Sequence, residues 1–532
     1  MQNKFTTVLI VWLCFWILYK FYLYPRFFSP LRTFPGPPIG HPIYGQFREI
    51  LEGEAGIPQR AWVKKYGPIV RVVGPIGIER LIVMKLEAIQ KILVSDWADY
   101  PKPKFLRDAI GSVTGYGLLT VISNEHKQMR KPISLGFSIS NVAAQSDLSY
   151  GPIEALVGIL RTKIDNEKEP GNGKVFLMYE WMSKVTLDIL CQAAFRYQLD
   201  SVQNSDNELA GAYEALASLD SGMTFVQRPN LAQFFATLSV PGMTEFLASE
   251  WAYNHRHWLD KFELTRICLL ASAYCIRKIS AQILRDKQED SASDLESKRD
   301  VLSLILRAGK ADSELDSTAE KILMSGKSMV DQVSTFLSAG HKTTSAGLAW
   351  TLWLLAKDSK SQQKLRKEVT AVFSKNARPD YRALKELTWL DCVVCESLRL
   401  MPPVPMTYRQ AEKTDFIDGI LVPKGTLFYI PIRVINTCKE IWGDDAEEFN
   451  PSRWLNLPLK YNSAFSSLSF MVGARSCIGK TMAVMEMKAL LGALITNFEF
   501  EPAYAGQIAQ PTTAITMTPK DNLPLRVRRV NL

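Results

Sequence analysis

The hydrophobic and polar positions divide this chain unevenly. From Phe5 to Tyr24 it is rich in Val, Leu, Ile, Phe and Trp, with Lys20 as the single charge. A run of roughly twenty such residues can span a bilayer as a helix. The run ends on bulky aromatics, Tyr19, Phe21, Tyr22 and Tyr24, which suit a membrane interface and lack the small residues of a signal-peptide cleavage site. Lys20, Arg26 and Arg32 outnumber Lys4 across the run, which places the following body on the cytosolic side. Phe34-Pro35-Gly36-Pro37-Pro38 cannot continue a helix and makes a stiff, extended connector. The expected organisation is a membrane anchor over 1–27, a Pro-rich hinge over 28–45 and one body over 46–532.

Within the body, apolar positions recur at helical spacing over 178–197, 328–357, 359–374, 384–400 and 478–498. Strand-like runs are fewer: Ile69–Val73, Leu81–Met84, Leu427–Ile432 and a C-terminal stretch ending Leu525–Val530. The fold class expected is mainly α with a minor β-sheet (α+β). Residues 286–299, charged and Ser-rich, read as a surface loop, and no internal repeat is present.

Composition narrows this picture. With 47% hydrophobic and 22% charged residues the chain is a folded globular protein. Its net charge of +9 is spread along the chain without a basic block or aromatic–basic interleaving, which disfavours nucleic-acid binding. Eight irregularly spaced cysteines do not form a disulfide framework, and no glycosylation acceptor is present, since Asn450-Pro451-Ser452 is excluded by its proline. Both point to a reducing compartment. Cys392-Val393-Val394-Cys395 lies inside a predicted helix and reads as core packing. The five histidines lack metal-ligand spacing. No dinucleotide or phosphate loop is visible.

The chemistry concentrates at Phe470-Met471-Val472-Gly473-Ala474-Arg475-Ser476-Cys477-Ile478-Gly479. Gly473 and Gly479 permit a tight turn and close backbone approach, so that peptide N–H groups can point at the Cys477 sulfur. A helix starting just after Cys477 would stabilise a thiolate with its positive end. The pattern Phe-x-x-Gly-x-Arg-x-Cys-x-Gly resembles the haem-binding signature of the cytochrome P-450 superfamily. The resemblance implies Cys477 as the iron ligand, Phe470 covering the sulfur and Arg475 pairing with a haem propionate.

Four further segments, in the family's order, resemble the same superfamily. Glu396-Ser397-Leu398-Arg399 and Pro451-Ser452-Arg453-Trp454 look like the two parts of its buried ion network, which makes Glu396, Arg399 and Arg453 structural. Arg409 occupies the place of a propionate-binding arginine. His126-x-x-x-Arg130 looks like the family's aromatic-x-x-x-Arg pair, with Arg130 on a propionate; His126 stands where Trp is usual, and fits either the haem or the surface. Ala339-Gly340-His341-Lys342-Thr343-Thr344 falls midway along the predicted helix 328–357, where Gly340 and the threonines weaken the helix. The family reading opens that helix above the haem for oxygen and assigns proton handling to Thr343. Lys342 departs from the family, which usually has Asp or Glu there. Its ammonium is expected to point sideways, to a carboxylate or to solvent.

The resemblance, strongest toward fungal microsomal members, implies a monooxygenase with haem b. It would insert one atom of O2 into an apolar small molecule, a terpenoid or other secondary metabolite. Electrons would come from NADPH-cytochrome P-450 reductase, with cytochrome b5 as an auxiliary donor. The location implied is the endoplasmic reticulum membrane, single-pass, with a cytosolic catalytic domain. By family position the substrate pocket draws on residues near Phe105–Leu119, Phe336–Thr343, Val404–Thr407 and Thr513–Thr516. Two alternatives stay open: a reductase-independent haem-thiolate dehydratase or isomerase, and a non-enzymatic haem membrane protein.

Overall fold

The computed structural model describes residues 2–41, 44–204, 206–221, 249–255, 265–289, 300–312, 326–512 and 515–530. It resolves two compact units with interleaved segments. The smaller comprises Met1–Pro103, Pro405–Cys438 and Asn462–Ser476; the larger comprises Lys104–Val404, Lys439–Tyr461 and Cys477–Leu532.

In the smaller unit the apolar N-terminal run is helical over Gln2–Leu18 and continues as a wider-wound helix over Tyr19–Phe28. Phe5–Thr33 is long and apolar enough to cross a membrane; its side chains are exposed from Phe5 to Lys20, while Pro25, Ser29 and Leu31 are buried. The Pro-rich stretch is docked rather than free. Phe34 is buried, the Pro35 carbonyl accepts from Arg71 N at 2.8 Å, and Gln46 donates to the Pro38 carbonyl at 2.6 Å.

That stretch lies along a four-stranded sheet built from β1 (Ile69–Val73), β2 (Glu79–Val83), β3 (Thr407–Gln410) and β4 (Leu427–Ile430). The order is β1-β2-β4-β3, with β2 and β4 parallel and the other pairs antiparallel. The β-branched runs of β1 and β2 bury both faces, as uninterrupted apolar strands do. Val70, Val72, Ile82 and Tyr429 face Ile50 and Trp62, while Ile69, Leu81, Val83, Phe428 and Ile430 face the opposite cluster.

The larger unit is helical around α1 (Met178–Leu190), α2 (Glu208–Ser221), α3 (Gly326–Lys357), α4 (Thr388–Leu400) and α5 (Lys480–Asn497). A small sheet of Lys174–Leu177, Phe498–Pro502 and Pro524–Arg529 closes it. The helix expected over 384–400 is two helices, Tyr381–Glu386 and α4, separated at Leu387. Leu387 takes an extended backbone (φ −74°, ψ 92°), and the Glu368 carboxylate caps the new start by accepting from Trp389 N and Leu390 N, both at 2.8 Å. The expected helix 178–197 ends its regular part at Leu190 and closes with one wider turn, Cys191–Phe195. Of the loop expected over 286–299, residues 286–289 belong to the helix Thr265–Glu289, and 290–299 lie outside the described residues. Cys392 and Cys395 are free thiols, and Cys392 is buried in the core.

Candidate active site

In the larger unit, Cys477 stands three residues before α5 begins at Lys480. Cys477 is solvent-reachable, yet surrounding protein desolvates its sulfur, which describes a residue on the wall of a recess. Burial pushes the thiol up, while the Gly479 N–H, Arg130 and Lys480 pull it back toward the anion. Gly479 does this without an unusual backbone, at φ −88°. The left-handed glycine of this loop is Gly473, at φ +72°, and a Cβ there would stand 2.4 Å from the Leu93 carbonyl oxygen. Phe470 is half-buried, and Met471 beside it takes a left-handed backbone at φ +58°.

Arg130 and His126 share one face of the helix Ser123–Gly136. His126 is buried, at 2% exposure, so it is not the surface residue that its sequence allowed. Burial lowers the Arg130 pKa, and Cys477 opposes that shift.

α3 is buried through most of its length, but Ala339 is exposed and Gly340, Lys342 and Thr343 are half-exposed. This window opens where two threonines bond backward: Thr343 Oγ1 donates to the Ala339 carbonyl and Thr344 Oγ1 to the Gly340 carbonyl, both at 2.8 Å. Gly340 has a packing reason, since a Cβ there would meet the Leu190 side chain at 2.8 Å. Lys342 does point sideways, and its ammonium lies over the Tyr213 ring of α2, 5.8 Å from the centroid. His341 is fully buried against the same ring, and burial pushes its imidazole down to about 3, so it is neutral.

The Glu396 carboxylate gathers the expected network. Oε1 accepts from Arg399 Nη2, Arg453 Nε and Asn450 N at 2.9 Å each; Oε2 accepts from Arg399 Nε at 2.8 Å and Trp454 Nε1 at 3.0 Å. Glu396 and Arg399 are fully buried. Arg453 also reaches the Asp445 carboxylate at 2.9 Å.

In the smaller unit, Arg409 is 3% exposed and donates to the Thr407 hydroxyl at 2.8 Å and the Tyr408 carbonyl at 2.7 Å. Burial and the nearby Arg475 pull its pKa down to about 9. Lys102 is held well below its ordinary value by burial and by the charges of Arg409 and Arg475. Arg475 lies over the Trp97 ring, 5.6 Å from the centroid. Lys102, Arg409 and Arg475 thus lie within electrostatic reach of one another, a setting that favours a carboxylate nearby.

The sequence model of the family described as cytochrome P450 matches residues 35–525. The chain belongs to the cytochrome P450 family. Cytochrome P450 monooxygenase 205 of Postia placenta is 32% identical over 510 residues, covering 92% of this chain and 89% of the relative. Cytochrome P450 monooxygenase sphH of Aspergillus fumigatus is 30% identical over 526 residues, covering 95% and 90%. Cytochrome P450 monooxygenase FUM15 of Gibberella moniliformis is 26% identical over 536 residues, covering 90% and 84%. This P450 is a haem-thiolate monooxygenase, an oxidoreductase that works with a redox partner on small molecules.

The residues present fit a haem. In the larger unit Cys477 offers a sulfur whose anion is supported by an N–H and two cations; in the smaller unit, taken by itself, Arg409, Arg475 and Lys102 suit carboxylates of the propionate kind. Lys102 is a residue that sequence reasoning missed. Between Pro101 and Pro103 it carries no motif, and only the tertiary fold brings it near Arg409. Tyr213 was missed likewise. Of the expected substrate-pocket residues, 513–514 lie outside the described residues.

Proposed function

We propose that this P450 holds haem b on Cys477 and oxidises an apolar small molecule, of the terpenoid or other secondary-metabolite class, with electrons from NADPH-cytochrome P450 reductase and cytochrome b5 as an auxiliary donor. The observation that carries the proposal is the Cys477 sulfur, reachable and flanked by the Gly479 N–H, Arg130 and Lys480. Fungal monooxygenases among the relatives support the metabolic class. The exposed apolar N-terminal helix supports residues 1–27 as a single-pass anchor in the endoplasmic reticulum membrane, with 28–45 as the connector and 46–532 as the cytosolic catalytic domain. Lys127, Lys131 and Lys480 are exposed on the unit that carries Cys477 and support docking of an acidic reductase.

When bound, the haem supplies the iron that receives electrons and activates O2. The chain's residues prepare that chemistry. Cys477 gives up its proton and coordinates through sulfur; the Gly479 N–H, Arg130 and Lys480 stabilise the resulting charge. Arg409, Arg475 and Arg130 would neutralise the propionates, with Lys102 and His126 beside them, while Phe470 would cover the sulfur and Gly473 shapes the loop. Thr343 handles protons. Its hydroxyl is spent on the Ala339 carbonyl at rest, so it relays a proton by accepting from water and rotating off that carbonyl. Lys342, held over Tyr213, stays out of this route.

Cys477→Ser tests the ligand: the red-shifted absorption of the ferrous carbon monoxide complex should disappear, and an unchanged spectrum refutes the assignment. Thr343→Ala tests the reaction. Product per NADPH consumed should fall about tenfold or more, with peroxide rising and haem content unchanged; unchanged coupling removes Thr343 from the mechanism. Conversion of substrate without NADPH would replace the monooxygenase reading by the dehydratase–isomerase one.

A further inference from the structure

One face of the four-stranded sheet carries a charge that no carboxylate among the described residues neutralises. Arg80 and Ile82 alternate on the same side of β2; Ile82 pairs with Tyr429 of β4, and Tyr429 with Tyr408 of β3. Arg80, Tyr429 and Tyr408 therefore share one face. Arg409, next to Tyr408, faces the opposite side, so this face is not the one that carries the propionate-binding arginine.

Arg80 is 9% exposed. Its guanidinium carbon lies 5.0 Å from the centre of the Phe47 ring and folds back over the Gly74 backbone. Among the described residues its Nε has no acceptor and no carboxylate forms an ion pair with it. Burial pushes its pKa down. Stacking on a ring offsets only part of what burial of a lone charge costs.

The two phenols are nearly as ill-matched. Gln59 Nε2 donates to Tyr429 Oη at 3.0 Å, so the Tyr429 hydrogen must go elsewhere and points to Met406 Sδ at 2.6 Å. Tyr408 Oη reaches the same sulfur at 3.3 Å. A thioether is a weak acceptor. One guanidinium and two hydroxyls thus share one sheet face with no oxygen accepting from them among the described residues, and Tyr408 and Met406 stand at the partly open margin of the cluster.

We propose that Arg80, Tyr408 and Tyr429 bind a phosphate-type oxyanion, carried either by a membrane lipid headgroup or by a soluble molecule. A guanidinium fork with flanking hydroxyls is matched to phosphate oxygens. Gly77, in the turn that joins β1 to β2, sits against the Phe21 carbonyl and the Pro25 ring, and Arg71 of β1 donates to the Pro25 carbonyl. The end of the apolar N-terminal helix therefore meets the strand pair that carries Arg80, but Arg71 lies on the face opposite to Arg80, so both sources of the anion go to the test.

The test uses the full-length, haem-loaded protein in discs of neutral phosphatidylcholine, with the apparent thermal midpoint as readout. Phosphatidic acid mixed into the disc lipid, or inorganic phosphate in the buffer, should raise the wild-type midpoint by about 2 °C. A rise with the lipid alone identifies a headgroup; a rise with free phosphate as well identifies a soluble source. Arg80→Met should unfold no earlier than wild type without anion, since it removes an unneutralised buried charge, and should lose the rise. Arg80→Lys, which keeps the charge but not the fork, should keep a weakened rise, and Tyr408→Phe should weaken the response several-fold. A wild type that responds to neither probe overturns the site, as does an undiminished rise in Arg80→Met. An earlier midpoint for Arg80→Met in anion-free discs also overturns it, because Arg80 would then be structural.

Discussion

Replacing Glu396 should be among the most damaging single changes in this P450, and the size of the loss follows from what the carboxylate holds. Glu396→Gln keeps the shape but removes the charge that faces two buried guanidinium groups, Arg399 and Arg453. Whichever oxygen becomes an amide NH2 is then turned toward at least two N–H donors, Arg399 Nε and Trp454 Nε1 on one side or Arg399 Nη2, Arg453 Nε and Asn450 N on the other. Breaking a buried pair from one side costs about 3–5 kcal/mol. A total stability of about 5–15 kcal/mol leaves little after such a loss. Urea unfolding followed by the fluorescence of Trp442 and Trp454, whose rings lie 5.4 Å apart beside the network, should show the midpoint fall by that amount. Haem content, read from the ferrous carbon monoxide spectrum, should fall with it. The decisive control is the triple variant Glu396→Leu, Arg399→Met, Arg453→Met. If orphaned charge causes the loss, removing all three charges should recover much of it, because Asp445 is exposed enough for water to replace Arg453. A Glu396→Gln loss below about 1 kcal/mol would refute the reasoning. So would a triple variant that is weaker than the single one.

Gly473→Ala should cost about 2–4 kcal/mol, from a left-handed backbone and a contact with the Leu93 carbonyl oxygen that cannot yield; urea midpoints and haem content measure it, and a neutral effect contradicts the geometry. Glu486, buried on α5, holds its proton up to about 8, whereas the unfolded carboxyl releases it near 4.5. The folded state binds the extra proton in that window, so this contribution is complete below about 4.5 and is lost as pH rises to about 8. Glu486→Gln should flatten that loss, and an unaltered pH profile of the urea midpoint would count against it.

What a contiguous stretch of chain can encode was legible in the sequence. The apolar run at Phe5–Tyr24, the strand at Ile69–Val73 and the long helix around Thr343 follow from side-chain pattern alone, because burial of one stripe or one run is a local property of spacing. The residues around Cys477 were legible for a different reason: a thiolate site demands glycine, arginine and cysteine at fixed short intervals. The pairing of Glu396 with Arg453 came only through the family resemblance, since no local rule joins residues on separate elements.

The rest was decided by contacts between distant segments. Nothing near Leu387 announces a helix break; the capping carboxylate, Glu368, sits on another helix. The short strands Thr407–Gln410 and Phe498–Pro502 are strands because their partners, β4 and Pro524–Arg529, lie alongside. The Lys342 ammonium meets the Tyr213 ring on α2, a contact that no pattern within its own helix announces. Lys102 joins Arg409 and Arg475, and Arg80 lies buried without a carboxylate among the described residues, for the same reason. Local pattern sets which side chains turn inward. Which charges then share a low-dielectric neighbourhood, and so which must find an anion, depends on segments hundreds of positions apart, and only the tertiary structure sets that.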